Sequence, residues 1–323
     1  MVQRTLEILG SSFKMALQEL LKNKLRTFLS LFGITIGIFC IIGVLTVVNS
    51  LEQNIKNEVN SLGSNTIYVD KWEYTGGMDY PWWKFVNRPV PRYHEVSQIK
   101  ERTTSAQYAS FRITTRDVVE YKGSVLSNIN YYGISEDFDE IQKIEVIEGR
   151  YLTDPDFERG LPAAVVGYDI AEKIFGSAAQ AVDKQVTLRG KKTQIVGVMK
   201  KQGKQMIGGW EFDQSVILPY RYARTIMNEL RTDPLIMVQG YENINSKMLK
   251  DELTGTMRAL HKISPTKAED FALNDINDLT EEVTSMFSAI NIGGWAIAAL
   301  SLIVGMFGVA NIMFVTVHQP LQV

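Results

Sequence analysis

Three histidines, His94, His261 and His318, and one cysteine, Cys40, are the side chains best suited to metal binding or nucleophilic chemistry in this chain of 323 residues. The histidines stand far apart and show no ligand spacing, so they read as surface or hydrogen-bonded rings. A single cysteine excludes an intrachain disulfide and a cysteine-based zinc site. Cys40 sits in an apolar run and reads as a small helix residue. The carboxylates Asp275, Asp278, Glu281 and Glu282 are candidates for a cation, but a charge run of this kind is usually a solvated helix face. The sequence contains no phosphate-binding G-x-x-x-x-G-K-S/T loop, no G-x-S-x-G elbow, no H-E-x-x-H pair and no Asp-rich calcium loop. No catalytic, cofactor-binding or metal-binding residue is assigned, and the chain is not read as an enzyme. The net charge of -2, without clustered Lys or Arg, argues against nucleic-acid binding.

Two uncharged runs dominate instead. Residues 28–48, FLSLFGITIGIFCIIGVLTVV, hold 21 residues without a charge, and residues 292–317, IGGWAIAALSLIVGMFGVANIMFVTV, are also uncharged. Roughly 20 apolar residues span a bilayer core at about 1.5 Å per residue. In lipid an isolated segment satisfies its own backbone only as a helix. Apart from Cys40 neither run has an ionisable side chain, which argues against an ion relay through them. Residues 1–27 carry Arg4, Lys14, Lys22, Lys24 and Arg26 against Glu7 and Glu19. Residues 267–291 carry one lysine and six carboxylates. Positive flanks mark the cytoplasmic side. The expected topology places the N-terminus inside, residues 49–291 outside, and the return to the cytoplasm at 292–317. The first run is longer than the apolar core of a cleaved signal peptide, about 7–15 residues, and no A-x-A site follows, so it reads as an uncleaved anchor. Gly33 and Gly37 have the small-xxx-small spacing that lets helices pack closely in lipid.

The flanking segments continue the helical period. Residues 11–25 gather Phe13, Ala16, Leu17, Leu20, Leu21 and Leu25 on one face, as an interfacial anchor or a docking helix would. Val48, Leu51, Ile55, Val59 and Leu62 recur at steps of three and four, as do Ile276, Leu279, Val283, Met286 and Ile290. Both apolar helices are therefore expected to extend outward as stalks, packed on each other or on a second copy. A rigid stalk can carry motion, which makes Leu51, Ile55, Val59, Ile276, Leu279 and Val283 candidate transmission residues; ordinary helix packing without transmission is the alternative.

Between the stalks, strands at 66–70, 107–113, 215–220, 235–241 and 270–273 alternate with helices at 93–102, 222–230 and 245–263, the pattern of an α/β domain. Residues 114–214 read as a β-rich subdomain inserted in it, with strands at 125–134, 163–166, 186–189 and 193–199 and a short helix at 169–175. Gly76-Gly77 and residues 201–209 are expected loops. The aromatic run YPWWKF at 80–85 reads as a local packing cluster, with a ligand, a partner or the bilayer surface as alternatives.

The ordered segments NKLRTFLSLFGITIGI (23–38), LGSNTIYVD (62–70), GISEDFDEIQKIEVIEGRYLTDPDFERGLPAAVVGYDIAEKIFG (133–176), VTLRGKKTQIVGVMKK (186–201), SVILPY (215–220) and GVANIMFVTV (308–317) resemble the MacB/FtsX-like permeases of ABC transporters. The resemblance implies an α+β membrane protein. Two transmembrane helices extended as stalks would carry a large extracytoplasmic domain, built of an α/β porter-like part and an inserted β-rich subdomain. The expected divisions are a cytoplasmic amphipathic helix (1–27), a first transmembrane helix (28–48), a periplasmic domain (49–291, with the insertion at about 114–214), a second transmembrane helix (292–317) and a cytoplasmic tail (318–323).

The resemblance further implies the permease subunit of an ABC-type exporter in a bacterial inner membrane. A separate cytoplasmic ATPase would drive it by mechanotransmission, with Lys14, Lys22, Lys24 and Arg26 as candidate ATPase-facing residues. Implied partners are that ATPase, a second permease copy, a periplasmic adaptor, an outer-membrane channel and membrane lipid. No cofactor is implied. Family members continue past the NIMFVTV-like segment with a charged cytoplasmic motif and two more spans, whereas this chain reads HQPLQV from His318. It is therefore read as truncated after the second transmembrane helix, either a fragment of a four-helix permease or a shortened protein. The rival function is a membrane-anchored signalling or scaffold protein whose outer domain activates or binds a cell-envelope partner.

Overall fold

The computed structural model describes Gly10, Lys14 and residues 24–61, 65–74, 80–203 and 210–317; for some helix residues, Arg26, Val59 and Leu279 among them, only the backbone is described. Lys22, most of the helix expected at 11–25, the Gly76-Gly77 loop and residues 204–209 lie outside those residues. The chain falls into two compact units: one joins the residues up to Asn54 with those from Thr284, and the other runs Ile55–Val283.

The first unit is built from the bodies of two long helices, Lys24–Ser61 and Ile276–Val317. Within them, Thr35–Asn57 and Ile276–Val304 are long and apolar enough to cross a membrane. The two helices approach each other at Leu45, where a Cβ on Gly294 would lie 2.8 Å from Leu45 Cδ2. A small residue permits this approach. Gly37, expected at such a contact, would meet nothing within 4 Å if it carried a Cβ. Spacing alone does not say which side of a helix meets its neighbour.

The second unit is organised on a ten-stranded mixed sheet. Its strands are β1 (Thr66–Asp70), β2 (Ala106–Tyr121), β3 (Ser124–Ile134), β4 (Val146–Gly149), β5 (Ala163–Val166), β6 (Gln185–Leu188), β7 (Lys191–Met199), β8 (Ser215–Pro219), β9 (Leu235–Gly240) and β10 (Ala272–Asp275). Their order is β10-β1-β9-β2-β3-β8-β5-β7-β4, with β6 pairing β2 and β7. The pairs β3–β8 and β5–β7 are parallel.

The hairpin between β2 and β3 turns on Lys122 and Gly123, whose φ values are +46° and +87°. Two consecutive positive φ angles make the tight turn whose twist matches the strands it joins, and glycine supplies one of them without strain. β2 runs on to Tyr121 instead of ending at 113. β3 pairs along the polar residues 114–117, and a bulge between Asp117 and Val119 takes up the irregularity. The insertion boundary expected near 114 therefore falls inside β2, and β3 of the expected insertion is hydrogen-bonded directly to β8.

Alternation along the strands divides the core between two faces. Ile67 and Val69 of β1, Phe111 and Ile113 of β2 and Ile236 and Val238 of β9 point to one face. There they pack with Ile99 of helix Tyr93–Arg102 and with Leu249, Leu253 and Met257 of helix Ser246–Leu260. The spacing of those three residues puts them on one side of a helix, and Asn245 caps its start by accepting from Lys247 N at 2.8 Å. Tyr68, Tyr132 and Met237 point to the other face, against Phe138, Ile141, Phe157 and Trp210.

Candidate functional site at the helix–sheet junction

β1 and β10 are antiparallel neighbours, with Ile67 opposite Asp275. Ser61 closes the first long helix shortly before β1 begins, and Ile276 opens the last helix as β10 ends. Both helices thus join the sheet at the same end of two adjacent strands. Ile276 is buried in the apolar cluster of Tyr68, Leu235 and Met237, and Ile55 packs half-buried against that same cluster.

Polar contacts hold the junction. Asp275, itself buried, accepts from Asn277 N at 2.8 Å and so satisfies a free amide at the start of the last helix. Lys250 Nζ, from helix Ser246–Leu260, lies 2.7 Å from Asp278 Oδ2 in the first turn of the last helix. Tyr68 accepts from Gln142 Nε2 at 3.0 Å on the buried side. Burial pushes the Tyr68 phenol far above its ordinary range, so it stays neutral. Burial, and then the charge of Asp233, push Asp70 up at the other end of β1. A cavity of about 230 Å³ opens beside β10, lined in part by Glu73, Tyr74, Lys250, Asn274 and Asp278.

Of the six candidate transmission residues, the structure gathers Ile55 and Ile276 in one cluster. Val283 is half-buried in the same unit, Leu51 is half-buried in the other unit, and the side chains of Val59 and Leu279 lie outside the described residues. Lys14 and Lys24 are exposed, whereas Lys22 and the Arg26 side chain lie outside the described residues. The aromatic run at 80–85 packs only in part: Phe85 is buried beneath Arg88, but Trp82 and Trp83 are 59% and 60% exposed.

Of the four carboxylates read from sequence as a solvated face, Asp275 is instead a buried helix cap, whereas Asp278, Glu281 and Glu282 are exposed, and Asp278 pairs with Lys250. An acidic residue immediately before an apolar helical period is a capping signal, so the first was findable. The Lys250 partner leaves no local trace. Among the described residues no group of three His, Cys, Asp or Glu is placed to hold a metal ion. Packing and capping tie the end of each long helix to a strand of the sheet.

A family model described as the MacB-like periplasmic core domain matches residues 27–256. The macrolide export ATP-binding/permease protein MacB of Neisseria meningitidis is 24% identical over 315 residues, covering 95% of this chain and 46% of that protein. The pyoverdine export ATP-binding/permease protein PvdT of Pseudomonas aeruginosa is 24% identical over 297 residues, covering 92% of this chain and 42% of that protein. The chain thus spans less than half the length of these relatives. The crystal structure of the periplasmic region of MacB from Actinobacillus actinomycetemcomitans superposes with a TM-score of 0.56 at 16% identity, covering 70% of this chain and 95% of that one, which shows a shared fold. With the model matched over most of its length, this chain belongs to the family of the MacB-like periplasmic core domain.

Proposed function

We propose that this chain is the permease part of an ABC-type exporter, held in a bacterial inner membrane by its two long helices, with Ile55–Val283 on the periplasmic side. The relatives named above are ATP-binding/permease proteins for macrolide and pyoverdine export, which supports the class. Helices of 38 and 42 residues exceed the roughly 20 that a bilayer requires, so each has length to spare as a stalk. Lys14, Lys22, Lys24 and Arg26 face a cytoplasmic ATPase in this reading. A second copy, membrane lipid, a periplasmic adaptor and an outer-membrane channel complete the assembly.

The observation that carries the proposal is the shared cluster of Ile55 and Ile276. A displacement of either helix along its axis reaches the sheet through that cluster, and core packing transmits displacement rather than absorbing it. The test is Ile55→Asp in cells that supply the ATPase. Export falls at least about tenfold, the effect of about 1.4 kcal/mol on the coupled step, while the periplasmic domain keeps its resistance to protease. Export at the wild-type rate would sink the proposal.

A second reading, a scaffold that binds or activates a cell-envelope partner, is supported by the exposed Trp82 and Trp83. Loss of such a partner on Trp82→Ala, with export unchanged, would favour it.

A further inference from the structure

His261 caps the C-terminal end of helix Ser246–Leu260, and both of its ring nitrogens face carboxylates. Nδ1 lies 2.5 Å from Asp270 Oδ1, and Nε2 lies 3.3 Å from Glu95 Oε1. The ring is only 12% exposed. Glu95 stands in the first turn of helix Tyr93–Arg102, and its other oxygen accepts from Arg92 N at 2.8 Å. Asp270 belongs to the segment that enters β10, next to Phe271, whose buried ring stands edge-on to the imidazole at 5.7 Å. Arg258, one turn back, pairs with Glu269 and donates to the carbonyls of Ser264 and Lys267. The charges around the ring are therefore Glu95 and Asp270, with the Arg258–Glu269 pair beyond them.

A neutral imidazole has one N–H and one lone pair, so it satisfies one of these carboxylates and turns a lone pair on the other. Only the imidazolium donates to both. The bond to Glu95 raises the proton affinity of the ring above the ordinary histidine value, burial works against this, and the bond to and charge of Asp270 add to the rise. A helix C-terminus also favours a cation.

We propose that His261 is a proton-operated clasp: the protonated ring ties the entry of β10 to helix Tyr93–Arg102, and the neutral ring releases one of its two carboxylates. β10 leads directly into Ile276, so the clasp sets how firmly the helix–sheet junction is held. A raised folded-state affinity stabilises fully below about pH 6.5, the unfolded value, and the contribution is lost as pH rises through the folded value. The junction is held while the ring is protonated and loosens as pH rises through the folded value. The clasp stands on its own geometry; only its effect on export rests on the function proposed above.

The experiment uses the full chain in lipid nanodiscs. The His261 ring is titrated by NMR, and amide exchange of residues 271–275, corrected for the intrinsic pH dependence, is followed over the same range. The expected result is a ring that titrates above about 6.5, with protection falling by about tenfold for each unit of that elevation. His261→Gln loses the step. A ring titrating at or below about 6.5, wild-type protection without a step, or the same step in His261→Gln would each overturn the clasp. If the step is present but export is independent of pH, the clasp stands and the coupling to export fails. If the step is absent while Ile55→Asp still abolishes export, the clasp alone fails.

Discussion

Lys250 Nζ sits 2.7 Å from Asp278 Oδ2, and this ion pair joins a helix packed on one face of the sheet to a helix whose first residue, Ile276, is buried on the other. Among the described residues β10 is a terminal strand of the sheet order. Its side chains are 35% and 51% exposed, so solvent screens the attraction. A double-mutant cycle with Lys250→Ala and Asp278→Ala is expected to give a coupling of about 0.2–1 kcal/mol in denaturant unfolding. The coupling should fall towards zero at about 1 M salt, where the Debye length is only about 3 Å. A coupling that ignores salt would show that the two residues meet through packing rather than charge.

Gly294 and Leu45 set the approach of the two long helices. Leu45→Cys with Gly294→Cys, in a Cys40→Ala background, should be joined by a short bifunctional thiol cross-linker, because a Cβ at position 294 would lie 2.8 Å from Leu45 Cδ2. Gly294→Ala should be tolerated, since Leu45 Cδ2 is the mobile end of a side chain, whereas Gly294→Phe should push the helices apart and slow the cross-linking of flanking cysteine pairs. Failure of the double-cysteine variant to cross-link would refute the contact.

Asp156 should make part of the stability acid-sensitive. Its Oδ2 accepts from Arg150 Nη1 at 2.6 Å, Thr153 N at 2.9 Å and Thr153 Oγ1 at 2.8 Å. Burial raises the carboxyl, but these bonds outweigh it and hold the group below its usual range. The stabilisation is complete above about pH 3.9, the unfolded value, and is lost as pH falls through the lower folded value. Asp156→Asn should cost about 1–3 kcal/mol at neutral pH. The gap between variant and wild type should narrow below about pH 3.9 in unfolding curves; a gap constant with pH would show that the charge is not responsible.

Tyr68→Phe tests the buried polar contact under the junction. It removes the acceptor of Gln142 Nε2 while keeping the ring that packs with Met237 and Ile276. The expected cost is about 1–3 kcal/mol, from a buried amide deprived of this partner. Tyr68→Phe with Gln142→Leu should recover part of it, because removing both partners costs less than stranding one. A double variant no better than the single one would mean that ring packing, not the hydrogen bond, carries the effect.

Much of the fold was legible where local pattern decides it. β1 and β5 and helix Tyr93–Arg102 occupy the residues that alternation and helical period point to. The second half of β2 was not legible, because its polar residues are held by pairing to β3 rather than by burial, and a bulge breaks the alternation. At the junction, Ile55 and Ile276 were visible as members of two stripes, but the stripes alone did not say that they meet one cluster. Asp278 is exposed, as its charge run suggested, but its ion pair was not legible, because the partner Lys250 lies on a different helix.

From sequence alone came the two long apolar helices, the mixed α/β region between them and the family resemblance. All three rest on properties of neighbouring residues: hydropathy over a span of about 20 residues, periods of two and 3.6, and ordered short motifs. Only the tertiary structure decided that Gly294 rather than Gly37 meets the other long helix, that β2 and β3 carry the expected insertion into the main sheet, and that His261 stands between Glu95 and Asp270. Each of these depends on at least one contact between segments far apart in the chain, fixed by strand register and by which helix face turns inward, and neither leaves a periodic trace in the residues on either side.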